Sequence, residues 1–312
     1  MSHAFVFPGQ GSQTIGMAQA LAEAHPAAQA VLDEVDDILE QNLSGLMFEG
    51  PIEDLTLTEN AQPALMAASI AVVRVLAESG VAMENAGFLA GHSLGEYTAL
   101  CAAGTLSLAD TARLLKLRGQ AMQRAVPVGE GAMAALLGLD TDAASDVAQA
   151  AGQHGVCTVA NDNAAGQVVI SGAKAAIEAA IDIAKDKGAR KAMLLPVSAP
   201  FHCPLMQPAA DEMAAALAEV EFHAPMRPVV ANVTASAVED PEVLRRLLVE
   251  QVTGVVRWRE SVMWMAAQGV TRQIELGSGK VLSGLVRRID KSITASNIGT
   301  PDELDAFLAA QE

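Results

Sequence analysis

Aromatic residues are scarce in this sequence, since Phe, Trp and Tyr together make up 3% of its 312 residues. Proteins that bind single-stranded nucleic acids stack the bases on such side chains, so the composition does not indicate a protein of this class. Basic residues are outnumbered as well, with 20 lysines and arginines against 37 acidic residues and a formal net charge of −17. Because phosphate backbones bind through lysine and arginine, we expect no nucleic acid partner.

Cysteine is also rare, and the three cysteines, Cys101, Cys157 and Cys203, form no Cys-x-x-Cys pair. This odd and scattered set predicts neither a disulfide framework nor a zinc site. The first residues contain no basic segment followed by a long apolar run, and no run of about 18 apolar residues follows later. We therefore expect a reduced, cytoplasmic protein that does not contact a membrane.

Hydrophobic residues make up 51% of the chain, which is enough for a substantial core. Short apolar stretches at residues 4–7 and 87–90 alternate with helical patterns, and further strands are predicted near 228–232, 272–276 and 292–297. Strands that alternate with helices indicate a parallel sheet. The fold class is therefore α/β, with a large discontinuous domain over residues 1–126 and 197–312.

Residues 127–196 have a different order of elements. Strands are predicted near 132–138, 156–160, 167–171 and 191–195, with helices near 141–151 and 173–187. A turn-rich segment, Asn161 to Gly166, joins the second and third of these strands. This β-α-β-β-α-β order is that of a ferredoxin-like α+β unit, so we interpret the segment as an inserted small domain.

Ser93 is the candidate nucleophile. It lies in Gly91-His92-Ser93-Leu94-Gly95, a G-x-S-x-G pattern between a predicted strand and a predicted helix, which is the context of a nucleophile elbow. The glycines permit a tight turn with crowded backbone. The hydroxyl would then lie at a helix N-terminus, where the Leu94 N–H can face an oxyanion. The alternative is an ordinary strand-to-helix turn.

A serine nucleophile needs a general base, and His202 is the favoured candidate among six histidines. It lies in a proline-stiffened loop, residues 196–204, just before a predicted helix, where a side chain can be held still. His92 adjoins Ser93, but the turn should point the two side chains apart. The remaining histidines have no motif around them or lie in polar turns (His3, His25, His154, His223).

Arg118 is an unexpected cation. On the predicted helix 107–125 it lies one turn from both Leu114 and Met122, near the middle of the apolar stripe. A permanent cation that points inward must have an anionic or hydrogen-bonding partner. One possibility is a buried ion pair with an acidic residue. The other is a bidentate clamp on a carboxylate of the substrate.

Two glycine-rich segments resemble nucleotide-binding motifs without completing them. Gly9-Gln10-Gly11 follows a strand, but Thr14 stands where the dinucleotide pattern needs glycine. Gly277-Ser278-Gly279-Lys280 lacks the first glycine of a phosphate loop, and Val281 replaces its serine or threonine. A non-catalytic nucleotide-binding module remains the rival interpretation that these segments offer.

Four spaced motifs together are more specific than any one of them: residues 7–13 (FPGQGSQ), the elbow at 91–97, residues 118–122 (RGQAM) and the His202 loop. In this order and over essentially the whole length, the chain resembles the malonyl-CoA:acyl carrier protein transacylase family of fatty acid synthesis. The resemblance implies an α/β-hydrolase-like large domain with the ferredoxin-like insertion. It also implies an acyltransferase that carries malonyl as a transient serine ester.

The resemblance assigns roles to eight positions. Ser93 is the implied nucleophile and His202 its base, while the main-chain carbonyl of Gln251 orients His202, so no acidic third member of the triad is expected. The other implied roles are an oxyanion hole made by the backbone N–H groups of Gln10 and Leu94, a malonyl carboxylate site at Arg118, and substrate contacts at Asn161, in the small-domain turn, and Phe201. In related polyketide acyltransferases a phenylalanine before the histidine accompanies malonyl preference.

The resemblance also implies the partners. Malonyl-CoA is the expected donor, the phosphopantetheine thiol of acyl carrier protein is the expected acceptor, and neither a cofactor nor a metal ion is expected. We expect a monomer. The alternatives are a trans-acting polyketide acyltransferase and a serine thioesterase or hydrolase. Because carrier proteins are acidic, docking would need local basic residues, for which the candidates are Lys185, Lys187, Arg190, Lys191, Arg287 and Arg288.

Overall fold

The computed structural model describes residues 2–197 and 199–310. In these residues the strands are β1 Ser2–Phe7, β2 Phe88–Gly91, β3 Gly131–Leu137, β4 Cys157–Ala164, β5 Gln167–Ala173, β6 Lys191–Leu194, β7 Val229–Ala231, β8 Ser236–Val238, β9 Val270–Leu276 and β10 Thr294–Ile298. The helices are α1 Gln19–Ala24, α2 Pro26–Leu39, α3 Leu43–Glu49, α4 Ile52–Thr56, α5 Thr58–Glu78, α6 Leu94–Ala102, α7 Leu108–Arg124, α8 Thr141–Ala151, α9 Lys174–Asp186, α10 Gln207–Ala218, α11 Pro241–Thr253, α12 Trp258–Ala267, α13 Val281–Ile289 and α14 Pro301–Ala309.

The larger sheet has the strand order β10-β9-β1-β2-β7-β8 and is parallel except for β8. This confirms the parallel-rich α/β prediction. Strand β1 lies in the middle, and its side chains alternate between two apolar clusters, with Phe5 and Phe7 on one face and Ala4 and Val6 on the other. Such alternation is what a strand covered on both faces requires.

Strand β1 also brings its following loop to the elbow. Its last residue, Phe7, pairs with Gly91 at the end of β2. Both strands are parallel, so the loop after β1 and the turn after β2 leave the same edge of the sheet. In open α/β sheets ligands bind at this carboxyl edge.

The second sheet is antiparallel, with the order β4-β5-β3-β6. Its elements follow one another as β3-α8-β4-β5-α9-β6, the order predicted from the sequence. The sheet packs on α8 and α9 through an apolar cluster of its own. Strand β4 is joined to the segment before α12, because Val256 donates to the Ala160 carbonyl and its own carbonyl accepts from Asp162 N–H.

Three details differ from the sequence predictions. Strand β4 continues through Ala164, with irregular pairing near Asn161 and Ala164, so Asn161 lies on a strand and not in a turn. The sequence predicts that Asn60 and Pro63 open a helix that runs through Leu76, whereas helix α5 begins at Thr58 and contains Pro63 in its sixth position. Strand β8, which spans three residues, was not predicted.

Helix α5 is long and apolar enough to cross a membrane, with a mean hydropathy of 1.3 over 18 of its residues. However, 83% of these residues are buried inside the protein. Neighbouring helices α2 and α7 pack against it. This burial is typical of a helix in a protein core.

Candidate active site

The turn at Ser93 is strained. Its φ of 54° and ψ of −109° lie in a region that residues other than glycine rarely adopt. A Cβ on Gly91 would overlap the Gly95 carbonyl, and a Cβ on Gly95 would overlap the Phe7 carbonyl. Glycine is therefore required on both sides of the serine, as the elbow pattern predicted.

His202 contacts the serine directly. Its Nε2 lies 2.8 Å from Ser93 Oγ, and its Nδ1 lies 2.8 Å from the Gln251 carbonyl oxygen. Because a carbonyl oxygen only accepts, Nδ1 carries the proton and Nε2 is free to accept from the serine hydroxyl. Burial, and secondarily the charge of Arg118, lower the pKa of His202 to about 3. The imidazole is therefore neutral at pH 7, as a general base must be.

Arg118 lies beside the same hydroxyl and is 1% exposed. Its Nη2 donates to Ser93 Oγ at 3.1 Å and to Gln251 Oε1 at 2.9 Å, and its Nη1 donates to Gln62 Oε1 at 2.7 Å. Among the described residues no carboxylate lies within 4.0 Å of its nitrogen atoms. The contact ion pair that the sequence left open is absent there, and neutral amides hold the cation.

The backbone N–H groups of Gln10 and Leu94 are free to bind an oxyanion. Neither donates a hydrogen bond to another group in the described part of the chain. Leu94 is the first residue of α6, where N–H groups have no intrahelical acceptor. The Gln10 side chain is fixed by Thr58, whose hydroxyl donates to Gln10 Oε1 at 3.1 Å.

A cavity of about 290 Å³ opens above Ser93. It is lined by seven of the eight predicted site residues: Gln10, Ser93, Leu94, Arg118, Asn161, Phe201 and His202. The eighth, Gln251, is buried behind Ser93 and His202. Apolar side chains such as Met122 and Leu195 complete the wall. The cavity therefore suits a small acyl group with one charged end.

Asn232 is a site residue that sequence reasoning missed. It is fully buried, its Oδ1 accepts from Ser93 N–H at 2.8 Å, and its Nδ2 donates to the Gly91 carbonyl at 2.7 Å. The side chain therefore holds the elbow from both sides. Its position directly after β7, at the carboxyl edge of the sheet, is the signal that could have identified it.

Other polar residues near the elbow have structural roles. His92 Nε2 lies 2.8 Å from Asn163 Oδ1, so it does not compete with His202 as the base. Gln62 holds Arg118 and was not predicted. In the described part of the chain, no group of three or more histidine, cysteine, aspartate or glutamate side chains is arranged to bind a metal ion.

Some of the predicted basic residues meet at a groove of about 560 Å³ formed by the ends of β3, α9 and α13. We call it the basic groove, and its charged residues are Arg190, Arg287, Arg288 and Lys291. Lys185 and Lys187, in contrast, pair with Asp182 and Asp146.

Comparisons with known proteins agree over nearly the whole chain. The acyl transferase domain family matches residues 4–298. A malonyl CoA-acyl carrier protein transacylase from Bacillus subtilis is 46% identical over 97% of this chain and 95% of its own length. The solved acyl-carrier-protein-S-malonyltransferase of Bartonella henselae is 56% identical, with 99% of each chain covered and a TM-score of 0.98. A chain from a solved complex of a type II PKS acyl-carrier protein with its malonyl-transacylase is 42% identical, with 99% of this chain and 100% of that chain covered and a TM-score of 0.97.

Proposed function

Since this chain belongs to the malonyl CoA-acyl carrier protein transacylase family, we propose that it transfers malonyl from malonyl-CoA to the phosphopantetheine thiol of acyl carrier protein in fatty acid synthesis. The observation that carries the proposal is the arrangement around one hydroxyl. Ser93 Oγ lies 2.8 Å from the His202 base and 3.1 Å from the Arg118 guanidinium. A nucleophile beside a buried, permanent cation suits an acyl group that ends in a carboxylate.

The first half of the cycle loads the serine. Arg118 binds the malonyl carboxylate, and the thioester carbonyl lies against the N–H groups of Gln10 and Leu94. The Ser93 hydroxyl attacks that carbon while His202 Nε2 takes its proton. The tetrahedral intermediate collapses, the carbon–sulfur bond breaks, and CoA leaves as the thiol with the proton from His202. Malonyl remains as an ester on Ser93.

The second half reverses these steps with a different thiol. His202 takes the proton of the phosphopantetheine thiol, and the sulfur attacks the ester carbon. The same two N–H groups stabilise the oxyanion, which is worth roughly 10² to 10³ in rate for each donor. The serine oxygen leaves and regains its proton from His202.

Asn161 and Phe201 are proposed to shape the acyl site. Both line the cavity and are largely buried. Asn161 supplies a polar group on the wall formed by the second sheet, and Phe201 supplies an apolar wall next to the base. The proposed assignment of Phe201 is selection against acyl groups with a branch at the α carbon.

We assign the two sheets to two domains: residues 1–126 and 197–312 form an α/β-hydrolase-like domain, and residues 127–196 form a ferredoxin-like domain. The second sheet and its two helices share an apolar cluster whose buried members all lie within residues 134–184, which supports this division. The protein is further proposed to act as a cytoplasmic monomer without a bound cofactor. The free thiols of Cys101, Cys157 and Cys203 are consistent with a reducing compartment.

Labelling with radioactive malonyl-CoA tests the central claim. The wild-type protein should form an ester that peptide mapping locates at Ser93, and holo carrier protein should then remove the label. Ser93→Ala should give no ester and no transfer. Full transfer activity in Ser93→Ala would refute the proposal, and release of malonate to water faster than to carrier protein would favour a hydrolase.

The basic groove is the proposed docking site for the acidic carrier protein. Met133 lines the active-site cavity and Gly138 lines the groove. Gly138 lies five positions after Met133 along the end of β3, a span of about 16 Å, and an extended prosthetic arm has to cover this distance. Charge complementarity chiefly raises association rates, and salt screens it.

Charge reversal tests this site. The double variant Arg287→Glu and Arg288→Glu should lower kcat/KM for carrier protein and flatten its dependence on salt, while malonyl-CoA loading of Ser93 stays unchanged. Arg246→Glu is the matched control, because Arg246 is also exposed and lies on α11. Equal transfer by the double variant and the control at all salt concentrations would exclude the groove.

A further inference from the structure

A carboxylate, that of Glu96, lies in the core of the site, one helical turn after Ser93. Glu96 is fully buried, at 0% exposure. Ser and Glu three residues apart at a helix start normally form a capping box, in which each side chain bonds the other's backbone N–H. Here the Ser93 side chain makes no capping bond, and its N–H donates to Asn232 instead. Both side chains are therefore released for other contacts.

The Glu96 carboxylate bonds the residues that hold the elbow. Its Oε2 accepts from Asn232 N–H at 2.9 Å and from Gln251 Nε2 at 2.8 Å. Its Oε1 has no hydrogen-bond partner among the described residues. One buried anion therefore contacts both Asn232, which fixes Ser93, and Gln251, which orients His202.

The Gln251 amide lies between this anion and the Arg118 cation. Its Nε2 donates to Glu96 and to the Ser93 carbonyl, and its Oε1 accepts from Arg118 Nη2 at 2.9 Å. If the amide were flipped, its oxygen would face the carboxylate and a carbonyl, and its NH₂ group would face the guanidinium. Because an ionised carboxylate only accepts hydrogen bonds, Glu96 selects the orientation in which Gln251 holds Arg118.

We propose that Glu96 is a positioning residue for malonyl transfer, which acts through the Gln251 side chain to hold Arg118 in place for the substrate carboxylate. This inference rests on the proposed function. It predicts an effect on choice of acyl group, because an acetyl donor has no carboxylate for Arg118 to bind. A residue that only stabilised the fold would affect both donors equally.

Titration of Glu96 gives an independent readout. Burial raises the pKa of Glu96 to about 7, against the opposing effects of the Asn232 and Gln251 hydrogen bonds and the Arg118 charge. Of the groups around it, Arg118 is charged, burial keeps His92 and His202 neutral by lowering their pKa, and burial raises the pKa of Tyr97 to about 12. Near neutral pH, Glu96 is thus the group that changes charge.

The test compares Glu96→Gln with wild type in the loading of Ser93 by malonyl-CoA and by acetyl-CoA. In Glu96→Gln the hydrogen bond to the Gln251 amide loses its charged partner, and hydrogen bonds to charged groups are stronger than those between neutral groups. The ratio of kcat/KM for malonyl-CoA to kcat/KM for acetyl-CoA should therefore fall about tenfold or more. Glu96→Asp, which keeps the charge, should restore part of the ratio. Glu275→Gln is the matched control, because Glu275 is also fully buried and accepts from two backbone N–H groups, those of Leu282 and Ser283.

A double-mutant cycle tests whether Glu96 acts through the Gln251 side chain. In a Gln251→Leu background, which keeps the backbone carbonyl for His202, the further change Glu96→Gln should leave the ratio unchanged. An equal loss for both donors, or the same tenfold loss without the Gln251 amide, would overturn the inference. Wild-type protein that formed no ester at Ser93 would instead refute the proposed function itself.

The wild-type pH profile decides the matter if Glu96→Gln does not fold. Protonation of Glu96 mimics that variant, and its raised pKa of about 7 places this protonation near neutral pH. The ratio of kcat/KM for malonyl-CoA to that for acetyl-CoA should therefore fall as the pH is lowered from about 8 to about 6. The Glu275→Gln control should show the same profile as wild type. A flat ratio over this range would overturn the inference.

Discussion

Replacing Arg118 by lysine keeps the charge and removes the planar fork, so it isolates the geometry of carboxylate binding. The guanidinium spans two amide oxygens, at 2.7 Å on Gln62 and 2.9 Å on Gln251, and still reaches Ser93 Oγ at 3.1 Å. A single lysine ammonium cannot bridge both amides and also grip a carboxylate in a bidentate manner. Hydrogen bonds to charged groups contribute about 1.5–3 kcal/mol, so loss of one should lower kcat/KM for malonyl-CoA roughly 10- to 150-fold.

The assay is rapid-quench measurement of ester formation with malonyl-CoA and with acetyl-CoA. Acetyl loading by Arg118→Lys should stay within about threefold of wild type, because the lost bond is not made to that donor. Arg124→Lys is the control, since Arg124 lies on the same helix but is exposed and pairs with Glu212. If malonyl and acetyl loading fell by the same factor, Arg118 would support the structure of the site without binding the carboxylate, and our reasoning would be wrong.

Three further changes test other parts of the site. Burial lowers the pKa of His202 to about 3, and the neutral imidazole is the proposed base, so the rate of Ser93 loading by acetyl-CoA should stay constant as the pH falls from about 8 to about 5. A histidine with an ordinary pKa would lose activity below about pH 6.5. A loading rate that halves near about pH 6.5 would contradict this prediction. Asn232→Ala leaves the buried Ser93 N–H and Gly91 carbonyl unpaired. At roughly 1–3 kcal/mol per group, the free energy of unfolding measured in urea should fall by about 2–6 kcal/mol. A fall well under about 1 kcal/mol would show that these two groups find other partners. Gly95→Ala places a Cβ on the Phe7 carbonyl and should prevent normal folding, as judged by soluble yield and circular dichroism, whereas Gly284→Ala, in a helix with nothing within 4 Å of the new Cβ, should be tolerated.

The strands and helices that build the site could be predicted because their signals are local. The apolar run before Gly91 and the helical spacing after Leu94 predicted the elbow, and the structure places strand β2 and helix α6 there. The inward position of Arg118 followed from its place on the apolar stripe, and it is buried. In each case the information lies within one or two helical turns of the residue.

The residues that sequence reasoning missed depend on pairing between distant segments. Asn232 is 139 positions from Ser93, and it reaches the elbow only because β7 pairs with β2. A single asparagine after a three-residue strand has no periodic pattern to mark it. The sequence predicts Asn161 in a turn because Asn, Asp and Gly cluster there, but pairing with β5 and the bridge to Val256 extend the strand through it. Tertiary pairing overrode the local turn signal.

Among the described residues no carboxylate pairs with His202, which fits the chemistry of thioesters. A main-chain carbonyl orients the imidazole, while burial and, secondarily, the charge of Arg118 disfavour its protonated form, so the site stabilises an imidazolium weakly. The serine alkoxide that leaves in the second half-reaction needs a proton, and a weakly stabilised imidazolium gives one readily. A thiol ionises near pH 8.5, so it leaves with little assistance and equally can attack after losing its proton. We therefore propose that a weak base beside two oxyanion donors suffices for exchange between two thiols, and that Arg118, which lowers the pKa of His202, also binds the malonyl carboxylate.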